Sequence, residues 1–387
     1  MQDHHEKIAL KVTIKARTRS PVHITPPPQV SGPPQPKGAA TPTAKILIGG
    51  RRVPYVPGTT VRGLLRRSVS DVMVARTGER YSYDGFAYNR VGGVRSDDKV
   101  KPRDLNYVRD VRRRNPIVGL FGDGVDFHHS HCRVSNLVPV DPASVSTDET
   151  GSVRTDDVQR DPAVLEDVDD SFLAEYERRT SLAREKTRLS SDVERLKKDR
   201  RKVDKADKEA LAAVDAEIEA LKARMAEVDA DRGNVNQVQM IMRSESMPMG
   251  TDLSGSLDCP SVTRAEAGLL LAGIMARPTS PKPFVGGMLA RGYGDIEFVH
   301  EVSVREKGGS MVHVGTITTR PMDDPDVEDP EGRLAGLLAS LDAYVASGEC
   351  DLRDPAEIAK AEEKAAKAAK GAANDASGRK AGKGKAA

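Results

Sequence analysis

The feature that most constrains this chain is a run of strict alternation near its start. Over residues 7–17, apolar side chains occupy every second position and are separated by largely polar ones; the apolar ones are Ile8, Leu10, Val12, Ile14 and Ala16. Successive side chains of a strand point to opposite faces, so the pattern predicts a strand with one buried and one polar face. Strands of a parallel sheet are buried on both faces, and the alternation therefore favours an antiparallel or mixed sheet.

Helical spacing follows over residues 60–76, with Thr59 or Thr60 available as N-cap and Gly78 as the end. The predicted buried stripe consists of Val61, Leu64, Leu65, Val69 and Val72. Three arginines lie off this stripe: Arg62, Arg66 and Arg67. The sequence also predicts a helix over 263–275 with a Thr263–Glu266 capping box and another over 334–346. Strands are predicted over 132–140, 253–259 and 296–304, and a hairpin arm over 237–249.

Residues 171–231 have a different pattern. Leu182, Leu189, Leu196 and Val203 repeat every seven residues, and a second apolar series with three-four spacing runs from Leu211 to Val228. An almost wholly charged stretch, 200–209, separates the two series. We expect two antiparallel helices that turn near 204–207, in the manner of a coiled coil.

Charge is segregated along the chain. The net charge is +2, but residues 37–120 contain 18 Lys and Arg against 7 Asp and Glu. That block is compatible with a polyanion site on one face, or with a solvated mixed surface. There is no run of eighteen apolar residues, which predicts no membrane span. Three isolated cysteines (Cys132, Cys259 and Cys350) form no disulfide framework and fit a reducing cytoplasm.

Three segments carry a family resemblance. Residues 53–66, VPYVPGTTVRGLLR, resemble the signature of the RAMP superfamily (repeat-associated mysterious proteins). Residues 115–122, NPIVGLFG, resemble the LFG element that often follows that signature. Residues 286–294, GGMLARGYG, resemble the glycine-rich loop near the C-terminus of the family. Within the superfamily, the order of elements is similar to the Cas-seven backbone subunit of CRISPR effector complexes, most of all to the type IV version.

The resemblance implies an α+β fold with a ferredoxin-like (RRM-type) palm, inserted thumb and loop subdomains, and a long helical hairpin insertion. The expected organisation is palm and loop-rich insertion over 1–160, helical hairpin over 161–232, thumb hairpin and remaining palm over 233–357, and a disordered Ala/Lys-rich tail over 358–387. The implied partners are guide RNA (crRNA), target nucleic acid bound by way of the guide, copies of the chain stacked head to tail, and other effector subunits. No membrane partner and no cofactor are expected.

The predicted RNA contacts lie around the first motif and the glycine-rich loop. A tight turn at Gly58 leads into a helix N-terminus, where N–H groups, hydroxyls and guanidinium forks suit phosphate. The alternative is a capped surface helix with solvated arginines. Glycines of the loop permit close backbone approach. The full set is Lys45, Arg51, Arg52, Thr59, Thr60, Arg62, Arg66, Arg67, Arg243, Met247, Met249, Lys282, Gly287, Met288 and Arg291.

Several residues have two interpretations. Met247 and Met249 fit either a thumb tip that wedges between bases or fillers of a core. Tyr293 fits base stacking or, better, core packing. The basic run Arg109, Arg112, Arg113 and Arg114 is compatible with nucleic acid or with neighbouring acidic groups. His128, His129, His131 and Cys132 are too closely spaced for a standard zinc site, so no metal is expected there.

Catalysis is not expected. Type III relatives of the family cut RNA with an aspartate in the loop after the first strand, whereas residues 16–60 contain no Asp or Glu. His23 is the one conventional general base there, and a histidine without an acid partner favours a structural role. Two rival functions remain: a RAMP-type endoribonuclease acting through His23 or Tyr55 on target or precursor RNA, and an interaction scaffold built on the helical hairpin.

Overall fold

The computed structural model describes residues 4–26, 39–92, 105–124, 128–154, 169–203, 207–232 and 240–354, with 357–358, 360–361, 363–364 and 367 of the tail. Two compact units are present: residues 1–150 together with 244–387, and residues 151–243. Helices and an antiparallel sheet make up the fold, which confirms the α+β class. Among the described residues, none of the helices combines the length and apolarity needed to cross a membrane.

The elements follow in chain order. The strands are β1 (Lys7–Thr18), β2 (Lys45–Ile48), β3 (Arg51–Pro54), β4 (Arg133–Val134), β5 (Val138–Pro139), β6 (Asp148–Arg154), β7 (Met240–Ser246), β8 (Asp252–Thr263), β9 (Ile296–Arg305), β10 (Val312–Thr319) and β11 (Asp326–Glu328). The helices are α1 (Gly58–Thr77), α2 (Tyr83–Phe86), α3 (Leu105–Arg114), α4 (Pro116–Phe121), α5 (Asp170–Arg200), α6 (Lys208–Arg232), α7 (Arg264–Ala276) and α8 (Arg333–Ala346). A π-helical turn, Ala87–Val91, continues α2.

One antiparallel sheet organises the first unit, in the strand order β11-β10-β9-β1-β8-β4, with β5 also pairing with β8. β1 is central, because Val12 pairs with Leu257 on β8 and with Val302 on β9. The five residues predicted to face inward from β1 are all buried, which confirms the alternation. The neighbours β8 and β9 run parallel to each other on either side of β1 and are connected through α7.

Three helices, α1, α7 and α8, share one core with the apolar face of the sheet. α7 is apolar around most of its circumference and buried along most of its length, as expected of a helix covered on several sides. Its predicted capping box between Thr263 and Glu266 is confirmed. A Cβ at Gly268 would lie 2.1 Å from the carbonyl oxygen of Leu337, so the close packing of α7 on α8 requires glycine there.

α1 begins at Gly58, and the predicted threonine cap is wrong. Pro57 occupies the N-cap position and no side chain caps the helix. Three N–H groups of the first turn have partners: Asn136 Oδ1 accepts from the Gly58 N–H at 2.8 Å, and Pro57 O accepts from Thr60 N and Val61 N at 2.9 and 3.2 Å. Gly78 ends the helix in the left-handed region, as predicted.

The second unit contains the two predicted helices, α5 and α6. Residues far apart in sequence pair across them: Lys186 with Asp229 and Arg200 with Asp215, each at 2.6 Å. As the first partner of each pair advances along α5, the second retreats along α6, so the helices are antiparallel. The predicted turn falls partly on residues 204–206, outside the described ranges.

Two other predicted strand segments need correction, and two predicted irregular segments lie mostly outside the described residues. The strand predicted over 132–140 is two short strands, β4 and β5, each paired with β8. The arm predicted over 237–249 contains β7, but its partner is β6, from much earlier in the chain. Most of the loop predicted over 21–42 and most of the tail lie outside the described residues.

Candidate nucleic-acid interface

A cleft of about 950 Å³ lies between α1 and the segment that follows α7. One wall is a single face of α1, on which Leu64, Arg67, Asp71 and Ala75 recur at three- and four-residue spacing. The opposite wall runs from Ala276 to Lys282, and Phe86 and Arg90 from the π-helical region also line the cleft. Two predicted RNA contacts from distant parts of the sequence, Arg67 and Lys282, therefore meet in one concavity.

The charges that line this cleft are mainly positive. The lining contains four cationic side chains and a single carboxylate, that of Asp71; the cations are Arg67, Arg90, Arg277 and Lys282. Asp71 forms an ion pair with Arg90. Partial burial, followed by the nearby charge of Arg90, lowers the pKa of Arg67. Concave surfaces with one sign of charge focus the field and attract polyanions, so this lining suits phosphate groups.

Phe86 adds an aromatic surface to the cleft. It is 48 % exposed, and the Arg90 guanidinium carbon lies 5.3 Å from the centroid of its ring. Exposed aromatic rings and arginine planes are the groups on which unpaired bases stack. Sequence reasoning missed both Phe86 and Arg90, although they lie within the basic block of residues 37–120.

Arg277 connects the cleft to the glycine-rich loop. Its guanidinium is buried, lies 4.6 Å over the Phe298 ring and donates to Pro283 O at 2.8 Å. Burial lowers the pKa of Arg277 to about 10, so the side chain remains cationic at neutral pH. By holding Pro283, Arg277 fixes the start of the loop that carries Lys282 and the following glycines.

The glycine-rich loop packs directly on the segment after β1. Gly286 has φ +89°, and a Cβ there would lie 2.3 Å from the carbonyl oxygen of His23. Gly287 N donates to the same oxygen at 2.9 Å. Met288 adopts a left-handed conformation with φ 60°, which is uncommon outside glycine. The glycines thus serve close backbone packing within the protein, and Gly287 directs its N–H inward rather than toward a ligand.

His23 and Glu245 lie together beneath this loop. His23 is 1 % exposed, its Nδ1 lies 2.7 Å from Glu245 O, and its Nε2 lies 3.2 Å from Thr25 Oγ1. The Glu245 carboxylate pairs with Lys45 Nζ at 2.9 Å and accepts from Thr43 N at 3.3 Å. A carboxylate from β7 therefore reaches the region whose own sequence contains none, so an argument from residues 16–60 alone was incomplete.

Three predicted cations lie on the β2–β3 hairpin. Lys45 is engaged by Glu245. Arg51 is exposed and donates to Ala143 O at 2.8 Å. Arg52 is exposed, and no described residue forms a hydrogen bond or ion pair with it. Gly49 and Gly50 make the turn with φ +56° and +80°. Arg52 is therefore the exposed cation of this hairpin whose side chain is not held by another described residue.

Arg66 is predicted to contact phosphate from the surface of α1, but in the structure it is not a surface residue. The side chain is buried and donates to the carbonyl oxygens of Asn89, Gly122 and Tyr88 at 2.6, 2.9 and 2.9 Å. Burial, with the neighbouring charge of Arg62, lowers its pKa to about 10. The segment before α4 covers this face of α1, which the helical pattern of α1 alone does not reveal.

Arg62 also turns toward the protein, since its Nη2 donates to the carbonyl of Phe121. The first motif and the LFG element are therefore in direct contact: Arg62 and Arg66 bind the carbonyls of Phe121 and Gly122. Gly122 has φ +66°, and a Cβ there would meet His128 O at 2.2 Å. In the first turn of α1, Thr59 is exposed and Thr60 is half-buried.

Met247 does not form a wedge tip. It is 1 % exposed, belongs to the core cluster and bridges to Val22. Met249, two residues later, is 68 % exposed. Arg243 is exposed on β7, and Arg291 is exposed in the glycine-rich loop. Tyr293 is half-buried, and its hydroxyl forms a hydrogen bond with Thr150 Oγ1.

Three arginines of the basic run on α3 form ion pairs with acidic side chains of the protein. Arg112 Nη2 lies 2.8 Å from the buried carboxylate of Glu266. Arg114 pairs with Asp110 at 2.9 Å, and Arg113 pairs with Asp110 at 3.5 Å and approaches Glu349 at 3.8 Å. The interpretation that these arginines balance acidic neighbours is thus the one the contacts favour.

The histidines before β4 do not converge. His128 Nδ1 contacts the carboxylate of Asp123, whereas His131 Nε2 lies 3.0 Å from Arg112 Nη1. Burial, then the charge of Arg112, lowers the pKa of His131. Cys132 is buried beside Cys259 on β8, and contact with Cys132 together with burial raises the pKa of the Cys259 thiol.

The open face of the sheet has mixed charge. Lys15 pairs with Glu301 at 2.5 Å, Arg17 with Asp252 at 3.6 Å, and Arg320 with Glu297 at 2.8 Å. Three cations on this face are thus matched by carboxylates, as Arg90 of the cleft is matched by Asp71.

No family model matches the chain, and no curated protein matches it. Among solved structures, a chain of a "Type IV-B CRISPR Complex" is similar, with 10 % sequence identity and a TM-score of 0.38. The alignment covers 78 % of this chain and 92 % of that chain. The likeness spans most of both chains at low identity.

Proposed function

We propose that this chain binds guide RNA as a repeating backbone subunit of a CRISPR effector complex. The observation that carries the proposal is the cleft along α1, where four cations and an exposed aromatic ring line one concave surface. Neutralising phosphates gives affinity without reading sequence, which suits a subunit that leaves recognition to base pairing.

The proposed palm is ferredoxin-like. In its support, the strands β9-β1-β8-β4 follow the order 4-1-3-2 of that fold when counted as palm strands. α1 follows the first of these strands, and α7 connects the third to the fourth. In this interpretation β10 and β11 extend the palm sheet, and the unit of residues 151–243 is an insertion.

The proposed RNA contacts are narrower than the sequence set. Arg67, Arg90 and Lys282 hold phosphates in the cleft, and Phe86 stacks on a base. Arg52, Thr59 and Met249 are exposed and stay in the set. Arg66 and Met247 leave the set because they are buried. Lys45, Arg62 and Gly287 act through protein contacts that fix the surrounding loops.

We propose no nuclease activity. His23 is buried with both ring nitrogens engaged, and Glu245 is held in an ion pair with Lys45, so neither is poised to deprotonate a ribose hydroxyl. Incubation of the protein with guide and matched target RNA is expected to leave both intact. Cleavage that disappears in a His23→Ala variant would establish the ribonuclease alternative instead.

The assembly follows from the same proposal. Several copies would stack head to tail along one guide, in an open helix, beside other effector subunits. Purified protein is then expected to carry small RNA of uniform length, and its mass should rise stepwise with the length of added RNA. Nucleic-acid-free protein that stays monomeric with RNA would contradict this.

Charge reversal in the cleft tests the binding site. The double variant Arg67→Glu, Lys282→Glu should lose most of its affinity for a single-stranded RNA measured by fluorescence anisotropy. The matched control is Lys307→Glu, an exposed lysine between β9 and β10 that does not line the cleft. Equal affinity of the double variant and the control would refute the cleft as the RNA site.

A further inference from the structure

Two histidines near the start of the chain and a glutamate after α8 lie close together, and none of the three lines the cleft. His5 Nε2 lies 3.2 Å from Glu349 Oε2, and His4 Nε2 lies 4.0 Å from Glu349 Oε1. The three donor atoms all lie within 4.8 Å of one another. This cluster is independent of the proposed RNA surface, and the sequence pattern gave no sign of it, because the residues are more than 340 positions apart.

The cluster stands on fixed backbone. His4 O accepts from Ala265 N at 3.2 Å and Glu6 O from Arg264 N at 2.9 Å, so the segment before β1 is anchored to the start of α7. Glu349 follows the left-handed Gly348 that terminates the region after α8. The ring of Tyr344, 2 % exposed, lies 5.9 Å from His4 and 6.3 Å from His5.

The donor chemistry matches a divalent transition metal. Two imidazole nitrogens and a carboxylate are a zinc donor set, with bonds of about 2.0–2.2 Å that place donors roughly 3.4 Å apart in a tetrahedron. The His5–Glu349 pair is close to that separation at 3.2 Å, and His4, at 4.0 Å from the carboxylate, would move closer on binding. His4 Nε2 is also a buried nitrogen for which the described residues supply no hydrogen-bond partner. A buried polar atom of this kind calls for a bond that a metal would supply.

The geometry points to a Zn²⁺ site formed by His4, His5 and Glu349, which ties the start of β1 to the end of α8. Three protein ligands leave a fourth position for water. The guanidinium of Arg113, whose Nε is 3.8 Å from Glu349 Oε2, competes for the carboxylate and would swing away on binding. The ion would tie together two chain segments, neither of which lines the cleft.

The test uses untagged full-length protein stripped with EDTA. Calorimetry with ZnCl₂ should give one site per chain, Co²⁺ should give a tetrahedral absorption band, and Zn²⁺ should raise the melting temperature. Glu349→Gln and His5→Ala should each weaken Zn²⁺ binding roughly tenfold or more. His313→Ala, which removes an exposed histidine on β10, should bind as the wild type does.

An ion pair without metal would be the competing explanation, and the response to added Zn²⁺ separates the two. A ligand that binds only the folded protein raises its melting temperature, whereas an ion pair alone gives no response to ZnCl₂. A rise that EDTA reverses and that is smaller in Glu349→Gln and His5→Ala supports the site. No Zn²⁺ effect on the wild type, or equal binding by wild type and Glu349→Gln, overturns it.

Discussion

The guanidinium of Arg66 donates a hydrogen bond to the carbonyl oxygen of Gly122 at 2.9 Å, and this contact joins the first sequence motif to the LFG element. Arg66 also holds Asn89 and Tyr88 through their carbonyls. Two motifs that are separate in the sequence are thus one structural unit, in which a buried cation organises the backbone behind α1.

Arg66→Ala should destabilise the protein without a specific effect on RNA. Three buried carbonyls lose their donor, which costs about 3 kcal/mol in free energy of unfolding. Urea denaturation measures the loss, and RNA affinity measured on the folded fraction should be unchanged. The control Arg67→Ala should have the opposite profile, with nearly normal stability and weaker RNA binding. Normal stability with weaker RNA binding in Arg66→Ala, and lost stability with normal RNA binding in Arg67→Ala, would contradict the burial of Arg66.

Alanine replacement of both Arg67 and Lys282 should reduce the salt dependence of RNA binding. Each phosphate contact to a single strand contributes about 0.7 to the slope of log K against log salt concentration, so the slope should fall by about 1.4. Anisotropy titrations at several salt concentrations measure it. Weaker binding with an unchanged slope would mean that the two side chains do not neutralise phosphates.

His300 should make stability depend on mildly acidic pH. Its ring is buried, with Nδ1 3.2 Å from Ile317 O, and burial lowers its pKa from 6.5 to about 4. The unfolded chain therefore binds this proton at higher pH than the folded chain. Its contribution is fully present above pH 6.5 and is lost as the pH falls toward about 4, roughly 3 kcal/mol in all. Urea denaturation from pH 7 to pH 4.5 should show a shallower decline for His300→Gln than for wild type; parallel curves would exclude this residue as the source.

Gly286→Ala should be far more damaging than Gly292→Ala. Both glycines have positive φ, +89° and +78°, so both replacements bring similar backbone strain of about 1 kcal/mol. Only at Gly286 would the new Cβ meet another atom, His23 O at 2.3 Å, whereas nothing lies within 4 Å at Gly292. Thermal unfolding and RNA affinity of the two variants compare the effects. Equal stability would show that the loop does not need its close packing on His23.

Replacing residues 171–231 with a short Gly-Ser linker should leave RNA binding intact. α5 and α6 form their paired contacts within the second unit, and the cleft lies wholly in the first. Anisotropy with the same RNA checks this. Loss of partner-subunit capture with retained RNA binding would assign the helical hairpin to assembly, whereas loss of RNA binding would contradict the proposed site.

Local patterns of sequence predicted local structure well. The alternation in β1, the Thr263–Glu266 capping box, the Gly78 terminus and the two charged helices each depend on residues close together in the chain. The misses involve contacts over long separations. Arg66 lies off the apolar stripe of α1, yet the carbonyls of Tyr88, Asn89 and Gly122 accept its hydrogen bonds and it is buried.

The same limit applied to the candidate site. Glu245 reaches Lys45 from 200 residues away, and Arg90 joins Arg67 only because the π-helical turn brings it to α1. Met247 is buried by its bridge to Val22, a pairing between segments that share no sequence signal. Packing, which the motifs do not reveal, distinguishes arginines that hold the protein together from those left exposed.

The ribbon of β6 and β7 has one further consequence. The chain leaves the first unit along β6 and returns along β7, and these two strands pair with each other. The two ends of the intervening segment are therefore held side by side, whatever that segment contains. A fluorescent protein or an affinity module inserted between these two strands, in place of that segment, is therefore expected to leave the sheet of the first unit folded.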